Sequence, residues 1–196
     1  MIGTVLRRLG LYQKLQAHFV EALVIPSFTR GQIGVAEARL LGRLVRDLTS
    51  AGPIVEIGTL FGRSTRILCE NARPGQQVIT VDRFSWNPLG LTPEEHHRLT
   101  ASALAEVTAS GALTLLKQDK EAFFAAWDGG PPAMVFTDAD HSYEGVKRDI
   151  EWARSVGAEV ICGDDYSAGC PGTIQAVDEF GGPVELSGRL WRIAAG

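Results

Sequence analysis

The sequence lacks the features that would place it in a membrane or on a nucleic acid. Its most apolar N-terminal stretch, Phe19 to Ile25, is broken by Glu21 and falls short of the roughly 20 apolar residues that span a bilayer. No lysine or arginine run occurs, and 19 basic against 23 acidic residues give a net charge of -4. Neither nucleic acid nor a membrane surface is expected as a partner. Arg7 and Arg8 precede an amphipathic segment with no small-residue cleavage pattern after it, which reads as a helix and not a targeting signal. Cysteine is scarce: Cys69, Cys162 and Cys170 are odd in number and lack zinc-ligand spacing. This excludes a disulfide framework and points to a reducing compartment, so a cytoplasmic location is expected.

What is present is an ordinary globular composition, 45% apolar and 21% charged over 196 residues, enough for one substantial core. Apolar residues from Ile2 to Leu23 recur at helical spacing until Pro26 stops them, which predicts an N-terminal helical extension over 1–30 and a main domain over 31–196. The stripe from Val5 to Leu23 need not be covered by the domain, so it is expected to form a homodimer contact or a wall of the binding pocket. A helix over Val35 to Leu48 then leads into alternating strands and helices. Strands are predicted at Ile54 to Ile57, Val78 to Val81, Leu113 to Leu116, Ala133 to Thr137 and Val160 to Cys162. Helices are predicted near Ser64 to Asn71, Pro93 to Ala109, Glu121 to Trp127, Glu144 to Arg154 and Thr173 to Phe180. The chain ends in a hairpin, Pro183 to Leu186 and Leu190 to Ile193 about a Ser187-Gly188 turn, so one of its strands must oppose an otherwise parallel sheet.

Two acidic signatures follow apolar strands: Met134-Val135-Phe136-Thr137-Asp138-Ala139-Asp140-His141 and Val160-Ile161-Cys162-Gly163-Asp164-Asp165-Tyr166. In an open parallel sheet the strand ends share one rim, where ligands bind. Carboxylates gathered there repel one another unless a cation holds them, which points to a divalent metal. The plainer reading is that such strand-end acids cap the next helix. Asp164 and Asp165 would face opposite sides of a straight strand, although Gly163 allows a bend. The first strand leaves through Glu56-Ile57-Gly58-Thr59-Leu60-Phe61-Gly62-Arg63-Ser64. Its glycines and the following helix start suit a nucleotide-like ligand, and Asp82, ending the second strand, can accept both hydroxyls of a ribose. On these residues NAD and other adenosine cofactors both remain open. His96 and His97 follow a Thr92-Pro93-Glu94-Glu95 helix start and read as surface residues. The irregular stretch Arg83 to Thr92 is a candidate lid, with Trp86 and Tyr166 as candidate substrate contacts.

Together, "VEIGTLFGRST", "VDRF", "FTDADHSYEGVKRDIEWA" and "ICGDDY" resemble class I S-adenosylmethionine-dependent methyltransferases. The likeness runs from about Gln32 to Ile193 and is greatest to the small metal-dependent O-methyltransferases of the sugar, macrocin and mycinamicin type, with catechol O-methyltransferases more distant. It implies an α/β fold: a Rossmann-like, mostly parallel seven-stranded sheet with an antiparallel last strand and helices on both faces. It also implies methyl transfer from S-adenosylmethionine to a hydroxyl of a small-molecule or oligosaccharide acceptor, assisted by Mg2+. Carried over residue by residue, the cofactor would meet Gln32, Ile33, Glu56, Gly58, Thr59, Ser64, Asp82, Arg83, Gln118, Asp119 and Asp138. Asp138, Asp164 and Asp165 match the metal-ligand positions, and either His141 or Asp140 would be the base. An NAD-dependent oxidoreductase is the competing enzyme reading, but it leaves the paired acids of the fifth strand without a task. A non-catalytic S-adenosylmethionine-binding protein is the other alternative.

Overall fold

Alternating parity along the strands divides the core into two layers. The computed structural model describes residues 33–196, so the predicted extension over 1–30 and Gln32 lie outside the described residues. In chain order the elements are α1 (Val35–Arg46), β1 (Ile54–Ile57), α2 (Arg63–Asn71), β2 (Val78–Asp82), α3 (Pro93–Ala103), α4 (Ala105–Ala109), β3 (Leu113–Lys117) and α5 (Lys120–Ala125). They continue with β4 (Met134–Thr137), α6 (Tyr143–Ser155), β5 (Val160–Gly163), α7 (Pro171–Glu179), β6 (Glu185–Ser187) and β7 (Leu190–Ile193). The seven strands form one sheet in the order β3-β2-β1-β4-β5-β7-β6. The β1 to β5 pairings are parallel, and β7 is antiparallel to both β5 and β6.

Successive strand residues point to opposite faces. Ile54, Met134, Phe136, Cys162 and Leu190 therefore pack with Leu41, Leu44 and Val45 of α1 and Leu68 of α2. Val55, Val135, Ile161 and Trp191 face the other way, onto Phe123 and Phe124 of α5, Ile150 of α6 and Val177 of α7. Burial on both faces is why these strands read as unbroken apolar runs. The single helix expected over 93–109 is two: the chain bends at Leu104, which leaves helical geometry with its side chain buried in the core.

One buried charge sets where α6 lies. Asp149 is fully buried, accepting from Lys120 Nζ at 2.6 Å and from the Thr137 hydroxyl at 2.6 Å. Lys120 also donates to the Gly145 carbonyl at 3.1 Å. The pair thus joins α5 and α6 to the end of β4, just before Asp138. Asp149→Ala is expected to destabilise the fold by about 3 kcal/mol, because an ammonium is left without its buried partner. Urea denaturation of the variant beside the wild type measures the loss.

Candidate active site at the carboxyl rim

Strand register places the candidate residues in one row. Ile57 is level with Val81 of β2 and Thr137 of β4, and Thr137 is level with Gly163 of β5. One step beyond, Asp82, Gly58, Asp138 and Asp164 follow each other across four strands, spaced about 4.8 Å apart as paired strands are. Gly58 has φ +99°, and a Cβ there would lie 2.3 Å from the Asp138 carbonyl oxygen. Its lack of a side chain therefore serves close backbone packing as well as ligand approach.

On the β2 side, the Asp82 carboxylate is engaged by the backbone. Its Oδ2 accepts from the Thr59 and Leu60 amides, each at 2.9 Å, and its Oδ1 accepts from the Phe84 amide at 2.6 Å. This leaves less acceptor capacity for a ribose than a free carboxylate offers. Glu56 is fully buried below, accepting from the Thr65 hydroxyl and from the Thr80 hydroxyl at 2.6 Å, so it ties α2 to the sheet. The Thr59 hydroxyl meets that of Thr80 at 2.6 Å, and Ser64 is buried at the start of α2. The Ile33 side chain is core, while its carbonyl accepts from Arg63 Nε at 3.3 Å. Arg83 pairs with Asp119 at 3.6 Å, Asp119 caps α5, and the Gln118 amide donates to the Asp82 carbonyl at 3.0 Å.

His96 overturns the surface expectation. It is fully buried, with Nε2 3.0 Å from the Leu60 carbonyl oxygen and Nδ1 3.4 Å from that of Phe84. The Thr100 hydroxyl donates to the same Leu60 carbonyl at 2.6 Å. The cause is the Arg83 to Thr92 loop, which tucks Phe84 beneath itself against the rings of His96 and His97. His97 is half-buried there, whereas Trp86 projects outward, 69% exposed.

On the β4 and β5 side, the two candidate bases part company. The Asp140 carboxylate turns back to accept from the Ser142 amide at 3.0 Å, and this bond holds its pKa below the usual range. His141 instead faces the acids, with Nε2 3.0 Å from Asp165 Oδ2 and 3.6 Å from Asp138 Oδ1. Asp138, and then Asp165, hold the imidazole more basic than usual against the opposing effect of burial. Asp165 has φ +64°, so the chain bends at the second acid itself and not at Gly163. That bend lets one guanidinium, Arg189, reach Asp165 at 2.7 Å and Asp164 at 3.4 Å.

The carboxylates are short of positive charge. Burial, then the neighbouring Asp138, pushes Asp164 up to about 7, and burial also raises Asp138. Asp164 Oδ1 is buried without a hydrogen-bond partner. Asp138, Asp164 and Asp165 offer the oxygen donors a hard divalent ion takes, the orphaned Asp164 Oδ1 among them, although among the described residues the three carboxylates do not gather within 4.8 Å of one another. The adjoining group is mixed. Donor atoms of His141, Asp165 and Cys170 gather within 4.8 Å, and the thiol is a soft ligand that magnesium does not favour.

Sequence reasoning missed Arg189, Cys170 and the burial of His96. Arg189 had a readable signal, since an antiparallel last strand must begin at the rim where the parallel strands end. Among the described residues no helix is long and apolar enough to cross a membrane.

Residues 55–166, more than half of the chain, match a methyltransferase domain family. The chain belongs to that family. No curated protein sequence matches it. Among solved structures it is similar to cofactor-bound Rv0187 from MTB, with 20% identity, TM-score 0.63, and 85% of this chain and 84% of that one covered. An O-methyltransferase from Bacillus cereus in complex with SAH is 20% identical, with TM-score 0.61 and coverage of 85% and 77%. The O-methyltransferase TomG from Streptomyces achromogenes, involved in tomaymycin synthesis and in complex with SAM, is 21% identical, with TM-score 0.61 and coverage of 84% and 77%. At these identities the likeness is one of fold.

Burial pushes the Glu56 carboxyl from its ordinary 4.5 up to about 7, against the pull of the Ser64, Thr65 and Thr80 hydroxyls. Between those two values the folded chain keeps a proton that the unfolded chain has released. The stability this proton contributes is complete below pH 4.5 and is lost as pH rises to about 7. The slope reaches about 1.4 kcal/mol per pH unit, for a total on the order of 3 kcal/mol. Denaturation midpoints from pH 4.5 to 7.5 should fall more steeply in the wild type than in Glu56→Gln, and parallel curves would remove Glu56 as the source.

Proposed function

We propose that this methyltransferase moves a methyl group from S-adenosylmethionine to a hydroxyl oxygen, with magnesium at Asp138, Asp164 and Asp165. The acceptor class we favour is a sugar in a glycoside, oligosaccharide or secondary metabolite. The observation that carries the reading is the row of Asp82, Gly58, Asp138 and Asp164, with Asp164 Oδ1 buried and unpartnered at its end. The names of two structural neighbours, O-methyltransferases in complex with SAH and SAM, support it.

In this reading the β1 and β2 ends carry the cofactor and the β4 and β5 ends carry the acceptor. Gly58 packs against the Asp138 backbone between them, and Asp82 keeps the Thr59 to Leu60 turn in place. Bound S-adenosylmethionine supplies an electrophilic methyl on a sulfonium. Transfer would exchange that carbon–sulfur bond for a carbon–oxygen bond, leaving the electron pair on sulfur and releasing the hydroxyl proton. His141 is positioned to take that proton, since its Nε2 faces the acids and Asp138 and Asp165 raise its basicity. Magnesium, when bound, lowers the pKa of an oxygen it contacts, a large lever for a hydroxyl about as weakly acidic as water. Trp86, 69% exposed on the loop after β2, is the aromatic we assign to acceptor contact.

Chelation with EDTA should abolish turnover and added magnesium should restore it. Asp138→Ala and Asp164→Ala should lose activity yet still bind S-adenosylhomocysteine by calorimetry. Full activity in EDTA would sink the metal reading.

His141→Ala is expected to lower kcat by about 10²–10⁴-fold with cofactor binding kept, the usual worth of general-base catalysis. Asp140→Ala should change kcat far less, because its carboxylate is spent on the start of α6. The reverse ranking would give the base role to Asp140. A panel of polyhydroxylated acceptors with labelled S-adenosylmethionine identifies the substrate class.

A further inference from the structure

Four carboxylates and a single guanidinium meet where the last hairpin touches the rim. Arg189 Nη1 lies 2.7 Å from Asp165 Oδ1, Nη2 lies 3.4 Å from Asp164 Oδ2, and Nε lies 3.8 Å from Glu37 Oε1. Asp138 completes the acidic group from the β4 side. The Asp164 side chain is only 3% exposed, and its Oδ1 has no hydrogen-bond partner. The guanidinium therefore covers part of this acid cluster and leaves one buried oxygen over.

We propose that Arg189 is the resident counter-cation of this cluster, competing with a divalent ion for Asp164 and Asp165 and so setting how tightly that ion is held. The inference rests on the metal-binding reading given above.

Geometry makes the two cations rivals. Magnesium draws carboxylate oxygens to about 2.0–2.1 Å in a near-octahedral shell. An ion between Asp164 and Asp165 would pull on the oxygens that Arg189 now contacts, and the guanidinium would meet its charge at close range. Arginine keeps its proton across the working pH range, so it leaves by moving and not by titrating.

The hairpin tip lets that movement happen without unfolding. The Arg189 amide donates to Glu37 Oε1 at 2.8 Å, and its carbonyl accepts from the Tyr166 amide at 3.0 Å. Gly188, with φ +61°, lies so close to Glu37 that a Cβ there would be 2.4 Å from Oε1. Main-chain contacts thus hold the tip whichever way the side chain turns. The Arg189 side chain is 44% exposed and has a path to solvent.

The test measures binding of Mn2+, a paramagnetic probe for this oxygen site, to the full chain by electron paramagnetic resonance. Arg189→Gln is expected to bind Mn2+ about tenfold more tightly than the wild type, which corresponds to about 1.4 kcal/mol. Arg189→Lys keeps the charge but loses the planar fork. It should also bind more tightly than the wild type, whereas a mere effect of net charge would leave it unchanged. The Arg189 Nε–H signal in nitrogen-15 spectra should move to the position of a solvated guanidinium as Mg2+ saturates the wild type. Equal or weaker Mn2+ binding by Arg189→Gln, or an Nε–H signal unmoved by Mg2+, would overturn the competition while leaving the metal site standing. If neither the wild type nor the variants bind Mn2+, the metal reading falls and the competition with it.

Discussion

The Gly58 backbone passes so close to the Asp138 carbonyl that even a methyl group would lie 2.3 Å from its oxygen. This contact ties the end of β1 to the end of β4, and the rest of the rim takes its dimensions from it. The main chain, not flexible side chains, thereby sets how far Asp138 stands from the Thr59 to Leu60 turn. The residues proposed to meet the cofactor and the acidic residues lie on opposite sides of this contact. A group-transfer reaction needs its two reactants within near contact distance and in line, and backbone positioning supplies that without a loss of side-chain entropy. The fully buried Asp149, paired with the half-buried Lys120, supports the same strand end from the other face through the Thr137 hydroxyl. Asp138 is thus fixed from both sides of the sheet.

Electrostatics at the rim act against stability. Buried like charges cost more than they return unless cations and hydrogen bonds compensate them, and Asp164 shows the shortfall directly, pushed up to about 7 by burial and by Asp138. Arg189 and His141 offset part of this repulsion. Natural chains keep such unfavourable clusters where a ligand completes them, because ligand binding then returns stability lost in the free protein. Two other polar groups near the rim make local structural contacts. Asp140 belongs to the turn before α6, and His96 to the packing beneath the Arg83 to Thr92 loop.

Most of the fold was legible because strand and helix periods were clean and the turns carried glycine. Ile54 to Ile57 and Leu190 to Ile193 were read with the boundaries observed. The hairpin required one strand to oppose the sheet, and that strand is β7. Leu104 was not legible: its helical spacing continued through 93–109, and the bend depends on its burial against the sheet. His96 was missed because a capping sequence before it looked like a surface helix start, while the cause of its burial is a loop folding back over α3. Asp138, Asp164 and Asp165 could be named from the motif. Their relation to Arg189 and Cys170 depends on contacts between distant segments, which no local pattern records.

Among the described residues three non-glycine residues adopt positive φ: Leu60 at 45°, Phe84 at 57° and Asp165 at 64°. All three stand just beyond the ends of β1, β2 and β5, on the candidate site and not scattered through the loops. Such conformations cost of order 1–3 kcal/mol each and persist only where neighbours hold them. The holders are identifiable. Asp82 accepts from the amides of Leu60 and Phe84, His96 and Thr100 meet the Leu60 carbonyl, and Arg189 and His141 meet the Asp165 carboxylate. Asp82 thus braces the two strained loops at the ends of β1 and β2, while His141 and Arg189 brace the strained acid at the end of β5. A carboxylate bound to three amides is hard to reorient, so the β1 and β2 side is shaped before a ligand arrives. The β5 side is held by a long, half-exposed arginine and an exposed histidine, and on the proposed reading it is the part free to rearrange when a ligand enters.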